Sequence, residues 1–310
     1  MRKHISTLLK IAISVIGLLL AFRQIQFDEL QAELVTIRWS WVILGFILVW
    51  LGIVLRAYRW LVLVQGLGLE IPFRRLVRIY FVGAFFNTFL PTGFGGDVVR
   101  VVEASNDVPT HIAAGTVIVD RLTGLLMLFV MALFALPFRP PDFPDSLVLF
   151  TVGVSLLGLL GGWLFLEGKL IRRLGGWLPG KLSLMDKKQP LAKLLDTVQA
   201  CGWQAIFRAL AVSTVFNFFL VAMWWVFGQS LNLNVSYGYY LLVVPIMSIV
   251  LLVPSIGGLG VRESLAPTLF MAAGLVASQA VALALLVSIA NRLAGLVGGP
   301  MYAFSGARER

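Results

Sequence analysis

Long apolar runs, separated by short polar stretches, dominate the chain. A transmembrane helix takes about 20 apolar residues, and an unbroken run of that order predicts a membrane span. The runs that predict spans are 8–22, 41–64, 114–136, 147–166, 205–227 and 277–303. The pattern predicts an all-α, polytopic membrane helix bundle in which residues 1–310 form a single transmembrane domain.

Two further apolar stretches, 77–104 and 238–273, are interrupted by clusters of Pro and Gly. These interruptions predict two broken, re-entrant hairpins instead of plain spans. Irregular backbone at membrane depth is tolerated only where it is buried in protein or lines a wet cavity. The two stretches are therefore candidates for the walls of an internal site.

The composition excludes a soluble protein. Hydrophobic residues make up 59% of the chain and charged residues only 13%, against about 45–50% and about 25% in soluble domains. The net charge of +10 comes from basic residues in a few short loops. Without a nucleic-acid-binding motif, that clustering is typical of loops on the cytoplasmic side of a membrane.

The distribution of Lys and Arg predicts an orientation in the cytoplasmic membrane. The loops 65–77 and 167–203 together hold nine basic residues, whereas 137–146 and 229–236 together hold one. Both termini are then predicted to be cytoplasmic. The segment 167–203 is predicted to be an amphipathic linker against the cytoplasmic leaflet, although a solvated linker fits equally well.

Three sequence matches in the same order indicate an internal duplication. Residues 65–71 match 229–235, residues 91–100 match 254–262, and residues 120–125 match 291–296. The matches predict one repeat over about 40–136 and a second over about 204–303.

The two repeats are predicted to have inverted topology. The predicted span order makes the first repeat enter the membrane from outside and the second from inside. Inverted repeats with interrupted helices at corresponding places are typical of transporters, whose sites lie between the repeats.

Charged side chains occur within the apolar segments. Each costs about 2.5–3.5 kcal/mol at the bilayer centre, so such residues are expected to face inward and to be paired. They are Asp97, Arg100, Glu103, Asp120, Arg121, Arg262, Glu263 and Arg292. Asp97, Arg100 and Glu103 are spaced at i, i+3 and i+6, so they are predicted to share one helix face and to pair. Two interpretations are open: ion pairs that hold helices together, or a binding site around a polar cavity.

The binding-site interpretation favours an anion. Helices that restart just after Gly95-Gly96 and Gly257-Gly258 would point free backbone N–H groups into a cavity. Arginine guanidiniums offer the paired donors that suit phosphate. We therefore expect a phosphate-bearing lipid headgroup to bind among these glycines and the charged residues named above.

Several other polar residues have two interpretations. Arg56 and Arg59, at the predicted cytoplasmic end of a span, either anchor that end together with Trp60 or first dock anionic headgroups. Asn87 and Asn217 are predicted to make interhelical hydrogen bonds.

No cofactor or metal is predicted. The chain has one cysteine and two histidines, which excludes an internal disulfide and makes a zinc site improbable. It also lacks a Walker motif and a Ser-His-Asp set.

At these motifs the sequence resembles the lysylphosphatidylglycerol synthase/flippase transmembrane-domain family. The stretches that carry the resemblance are RAYRW (56–60), GAFFN (83–87), LPTGFGGDVVR (90–100), DR (120–121) and PSIGGLGVRE (254–263). The resemblance implies a membrane part that moves a phospholipid between leaflets. It does not extend to the family's soluble aminoacyltransferase domain, for which the chain leaves no room.

Three functions follow as hypotheses. The first is a lipid flippase or scramblase that moves a phospholipid or a polyprenyl-phosphate-linked sugar. The second is a membrane enzyme acting on a lipid with Asp97 or Glu263 as acid or base, although a nucleophile or metal for it is missing. The third is a membrane partner that anchors a lipid or glycan biosynthetic enzyme.

Overall fold

All the regular structure in the described part of the chain is helical. The computed structural model describes residues 35–89, 95–168, 190–250 and 260–304, with the single positions Leu19, Asp28, Glu33 and Arg173. The helices are Trp39–Gly66 (α1), Phe73–Phe89 (α2), Gly95–Ala104 (α3), Thr110–Ala135 (α4), Asp145–Glu167 (α5), Pro190–Ala200 (α6), Gly202–Ser230 (α7), Tyr237–Val250 (α8), Val261–Phe270 (α9), Ala277–Leu296 (α10) and Gly298–Ala303 (α11). Short 3-10 turns follow α4 and α9.

Five helical segments are long and apolar enough to cross a membrane. They comprise α1, α4 with its 3-10 turn, α5, α7, and α10 together with α11. Five of the six predicted spans are thus confirmed, each within a few residues of its predicted bounds. Apart from Leu19, the sixth predicted span, 8–22, lies outside the described residues.

The two interrupted stretches each form a pair of short helices. In the first pair, α2 and α3 lie antiparallel, because Gly96 at the start of α3 contacts Asn87 near the end of α2. In the second pair, the Tyr239 hydroxyl near the start of α8 donates to the Leu269 carbonyl near the end of α9. The helical pairs therefore match the predicted breaks, whereas a re-entrant course remains a prediction.

The helices of the two predicted repeats pack in matching pairs. The most extensive contact joins α1 and α7, the first helices of the two repeats. The packing of α2 on α10 corresponds to that of α8 on α4, and the packing of α7 on α4 corresponds to that of α1 on α10. A two-fold relation between repeats would give this pattern. The inverted orientation itself remains a prediction.

The packing leaves an apolar surface suited to lipid. Helix α5 lies at the outside of the bundle, where Leu149, Leu157 and Trp163 are exposed. In the described part of the predicted linker, α6 packs onto α4, where buried Val198 shares a hydrophobic cluster with Val119 of α4. The interior left between α1, α2, α3, α4, α7 and α8 contains the polar site.

Candidate functional site

Asp120, in the interior of α4, is the centre of a buried network. Its side chain is fully buried. One carboxylate oxygen accepts from Arg59 Nε at 2.7 Å, and the other accepts from Arg100 Nη2 at 2.8 Å. The Tyr80 hydroxyl also donates to the second oxygen. One carboxylate thus joins side chains from α1, α2, α3 and α4.

Asp97 extends this network by a second carboxylate. Arg100 Nη1 donates to Asp97 Oδ1 at 3.2 Å, and Arg121 Nε lies 2.6 Å from Asp97 Oδ2. The Arg100 guanidinium also lies over the rings of Tyr80 and Trp60, at 3.8 and 4.5 Å from their centroids. Arg100 is therefore held by charge on its edge and by aromatic rings on its faces.

The network borders a cavity of about 270 Å³. Its charged lining consists of Arg56, Arg59, Arg100, Arg121, Asp97 and Asp120. Four arginines face two aspartates in this described lining, so cationic side chains outnumber carboxylates by two. The segments 90–94 and 251–259, which join the helical pairs, contain no acidic residue. An anion would neutralise this excess.

Arg56 is the cavity arginine without a carboxylate partner. Across the described ranges, it takes part in none of the ion pairs. Its Nε donates to the Gly52 carbonyl at 3.3 Å, and its guanidinium lies 5.3 Å from the Phe216 ring centroid. Aromatic contact and one carbonyl leave donors on this guanidinium for a ligand.

Part of the cavity lining is apolar. It is formed by Leu125 and Leu128 from α4 together with Phe216 and Leu220 from α7. Asn217 interrupts this wall. It is 3% exposed, and its Nδ2 has no hydrogen-bond partner among the described residues. The cavity thus has a cationic end, an apolar side and one buried amide donor.

The two asparagines of the sequence analysis differ in their contacts. Asn87 Oδ1 accepts from the Gly96 N–H at 2.7 Å, which confirms the predicted interhelical bond. The same contact uses one N–H at the start of α3 that was expected to face an anion. The helix begins at Gly95, so both glycines lie in its first turn and not before it as predicted. Gly257 and Gly258 lie outside the described residues.

The charged residues of the second repeat form another cluster. Glu263 is fully buried and accepts from the Gly260 N–H at 2.7 Å and from the Ser288 hydroxyl at 2.5 Å. Arg262 Nη1 donates to Ser288 Oγ at 3.0 Å. Arg292 lies partly buried, one helical turn beyond Ser288 on α10. None of the three charged residues belongs to the cavity lining described above.

Three residues lie elsewhere than the sequence analysis expected. Glu103 does not join Arg100, because Arg75 on α2 lies 3.4 Å from its carboxylate and supplies a closer partner. Arg59 and Trp60 do not lie at the end of a span. Arg59 is 4% exposed and bound to Asp120, and fully buried Trp60 donates to Thr116 Oγ1 at 3.0 Å.

Sequence reasoning missed four residues that complete the site. Tyr80, Ser213, Phe216 and Ser248 line the cavity or bind its arginines. Ser213 Oγ accepts from Arg59 Nη1 at 3.1 Å, across 154 positions of the chain. Tyr80 follows Arg78 in an otherwise apolar run, which is a weak signal of a polar partner. The serines carry no signal, because single serines are common in membrane helices.

The described residues contain no cluster of three or more His, Cys, Asp or Glu side chains that could hold a metal ion. The groups available in the cavity are guanidiniums, occupied carboxylates, a phenol and amides. Guanidinium and amide groups are donors that suit an anion.

Comparison with known proteins gives one match. The family model described as the lysylphosphatidylglycerol synthase TM region matches residues 7–299. Searches of curated proteins and of solved structures found no match. The matched range covers nearly the whole chain and includes every residue of the cavity. The chain therefore belongs to the family of the lysylphosphatidylglycerol synthase TM region.

Proposed function

We propose that this membrane protein moves a phosphate-bearing lipid, either a phospholipid or a polyprenyl-phosphate-linked sugar, between the two leaflets of the cytoplasmic membrane. The observation that supports the proposal most directly is the arginine excess in a cavity enclosed by apolar helices. Unpaired cationic side chains are costly at this depth. A phosphate group entering the cavity would offset that cost.

The roles of the cavity residues follow from their contacts. Arg56 binds the phosphate first. Its guanidinium is not paired with a carboxylate in the described ranges, so no ion pair has to break before the phosphate binds. Asp97 and Asp120 hold Arg100, Arg59 and Arg121 in position. The lipid chains remain beside the apolar wall. The protein transports the lipid and does not alter it.

Alternating access supplies the movement in this proposal. The matching helix contacts suit two repeats, about 40–136 and about 204–303, that rock against one another around the cavity. The basic segments 65–77 and 167–203 place both termini on the cytoplasmic side. Reporter fusions at the two ends test this placement, and opposite locations for the termini would contradict it.

Transport is tested in proteoliposomes that contain fluorescent phospholipids or a labelled lipid-linked sugar. We expect Arg56→Ala to slow the loss of outer-leaflet signal at least tenfold relative to wild type. Arg38→Ala is the matched control, because this exposed arginine at the start of α1 lies outside the cavity lining.

Equal rates for wild type and Arg56→Ala across the lipid panel would remove support for transport through this cavity. If Arg56→Ala also left cellular function intact, that result would support a role as a membrane anchor for a biosynthetic enzyme.

A further inference from the structure

The carboxylates of the cavity are already paired, whereas some of its hydrogen-bond donors are still available to a ligand. Both carboxylates in its described lining are occupied. Asp120 accepts from Arg59, Arg100 and Tyr80, and Asp97 is paired with Arg100 and Arg121. A ligand that brings an ammonium group would therefore find no carboxylate there that is not already bound to an arginine.

Two groups of the described lining remain able to donate to a ligand. The Arg56 guanidinium forms no ion pair in the described ranges, and Asn217 Nδ2, in a side chain that is 3% exposed, has no partner there. These donors suit an anionic phosphate oxygen and a neutral ester or hydroxyl oxygen. An ammonium group on the ligand would instead be repelled, because the arginines of the cavity outnumber its carboxylates.

The volume and the apolar side restrict the ligand further. About 270 Å³ is close to the lower end of small-ligand pockets, which run from about 300 to 1,000 Å³. The space suits a phosphate with its adjoining glycerol or sugar. The wall formed by Leu125, Leu128, Phe216 and Leu220 suits the start of a hydrocarbon chain.

From these contacts we infer that the cavity selects lipid headgroups that carry net negative charge and no ammonium group. This inference rests on the proposed function and narrows its substrate class. Lysylphosphatidylglycerol, which carries one phosphate and two ammonium groups, is excluded. The chain therefore takes a different kind of lipid from the one in its family's name.

Binding to purified protein in detergent tests the selection separately from transport. The probes are short-chain phosphatidylglycerol, phosphatidylethanolamine and lysylphosphatidylglycerol, with glycerol 3-phosphate as the headgroup without chains. Thermal stabilisation at increasing concentrations gives each affinity. We expect phosphatidylglycerol to bind at least tenfold more tightly than the two lipids that carry ammonium groups.

Two variants separate charge from hydrogen bonding. Arg56→Glu removes the arginine excess, so the preference for phosphatidylglycerol over phosphatidylethanolamine should fall at least tenfold. Arg38→Glu changes net charge equally outside the cavity and should leave the preference within twofold of wild type. Asn217→Leu removes one donor, so it should weaken phosphatidylglycerol binding several-fold while keeping the preference.

The outcomes are distinguishable. Equal affinity for phosphatidylglycerol and lysylphosphatidylglycerol, or an unchanged preference in Arg56→Glu, would overturn the inference. Equal affinity for glycerol 3-phosphate and the lipid would assign the cavity to soluble phosphates and overturn the lipid assignment. Selective lipid binding without transbilayer movement of the lipid in proteoliposomes would support the inference about selection. It would contradict only the proposal of transport.

Discussion

The two predicted repeats each place an arginine near a buried carboxylate, but the two clusters are built differently. Around Asp120, arginines from two helices, Arg59 of α1 and Arg100 of α3, converge beside a cavity. Around Glu263, the partners are the backbone N–H of Gly260 and the hydroxyl of Ser288. The first carboxylate balances charge, whereas the second closes the start of α9 and ties it to α10.

In the proposed function, the two clusters of charged residues serve two purposes in one fold. A cluster with more arginines than carboxylates leaves a charge for a ligand to neutralise. A cluster in which a carboxylate accepts from neutral donors holds two helices together. Mutations in the first cluster should therefore affect both lipid binding and stability, whereas mutations in the second should affect stability alone.

The largest expected effect is that of Asp120→Asn on stability. The change leaves Arg59 and Arg100 buried without their shared carboxylate, and removing one partner of a buried ion pair costs about 3–5 kcal/mol. Thermal unfolding in detergent, followed by tryptophan fluorescence, measures the loss. A shift no larger than that from Asp142→Asn, at an exposed position, would contradict the central role of Asp120.

Glu263→Gln should have a smaller effect, because the uncharged amide can still accept one of the two hydrogen bonds. Loss of a hydrogen bond to a charged acceptor costs about 1.5–3 kcal/mol. The same unfolding assay applies, with exposed Glu70→Gln as control. Lipid binding should persist in the folded fraction, and selective loss of binding would place Glu263 in the site.

Gly96→Ala tests the close approach of α2 and α3 beside the cavity. A Cβ at this position would lie 2.2 Å from the Gly83 carbonyl oxygen, so the helices must separate. Overpacking of this kind costs about 1–3 kcal/mol. The control is Gly161→Ala in α5, where a Cβ would meet nothing within 4 Å. An equal effect at both sites would contradict the tight contact.

The smallest effect on stability is expected from cysteines that report access to the two clusters. Arg56→Cys should react with a negatively charged sulfonate thiol reagent at least tenfold faster than Arg262→Cys, because only the former position lines the described cavity.

The native thiol gives little background in this assay. Burial raises the pKa of Cys201 to about 11, so only roughly 0.1% is the reactive thiolate at pH 8. Its labelling should rise with pH. Equal rates for Arg56→Cys and Arg262→Cys would remove the contrast between the clusters.

The sequence predicts the spans and the breaks because both depend on local composition. Asp97, Arg100, Asp120 and Arg121 are likewise identifiable, since charge within an apolar run requires a partner. The identity of each partner is not local. Helical spacing places Glu103 on the face of Arg100, yet an arginine from α2 binds it.

The buried location of Arg59 among the helices could not be predicted for the same reason. Its position toward the end of a predicted span suggests an interface, whereas its actual location depends on Asp120 and on a serine in the second repeat. The missing hydrogen-bond partner of Asn217 Nδ2 could not be predicted either, because it depends on the helices that surround this residue. In the sequence alone, every asparagine within an apolar helix looks the same.

The packing of α11 on α2 has a consequence for motion. A Cβ at Gly298 would lie 2.0 Å from the Phe81 carbonyl oxygen, so the two backbones touch without intervening side chains. Helices in such direct contact cannot slide past one another without first moving apart. Helices α11 and α2 should therefore move together as one rigid unit.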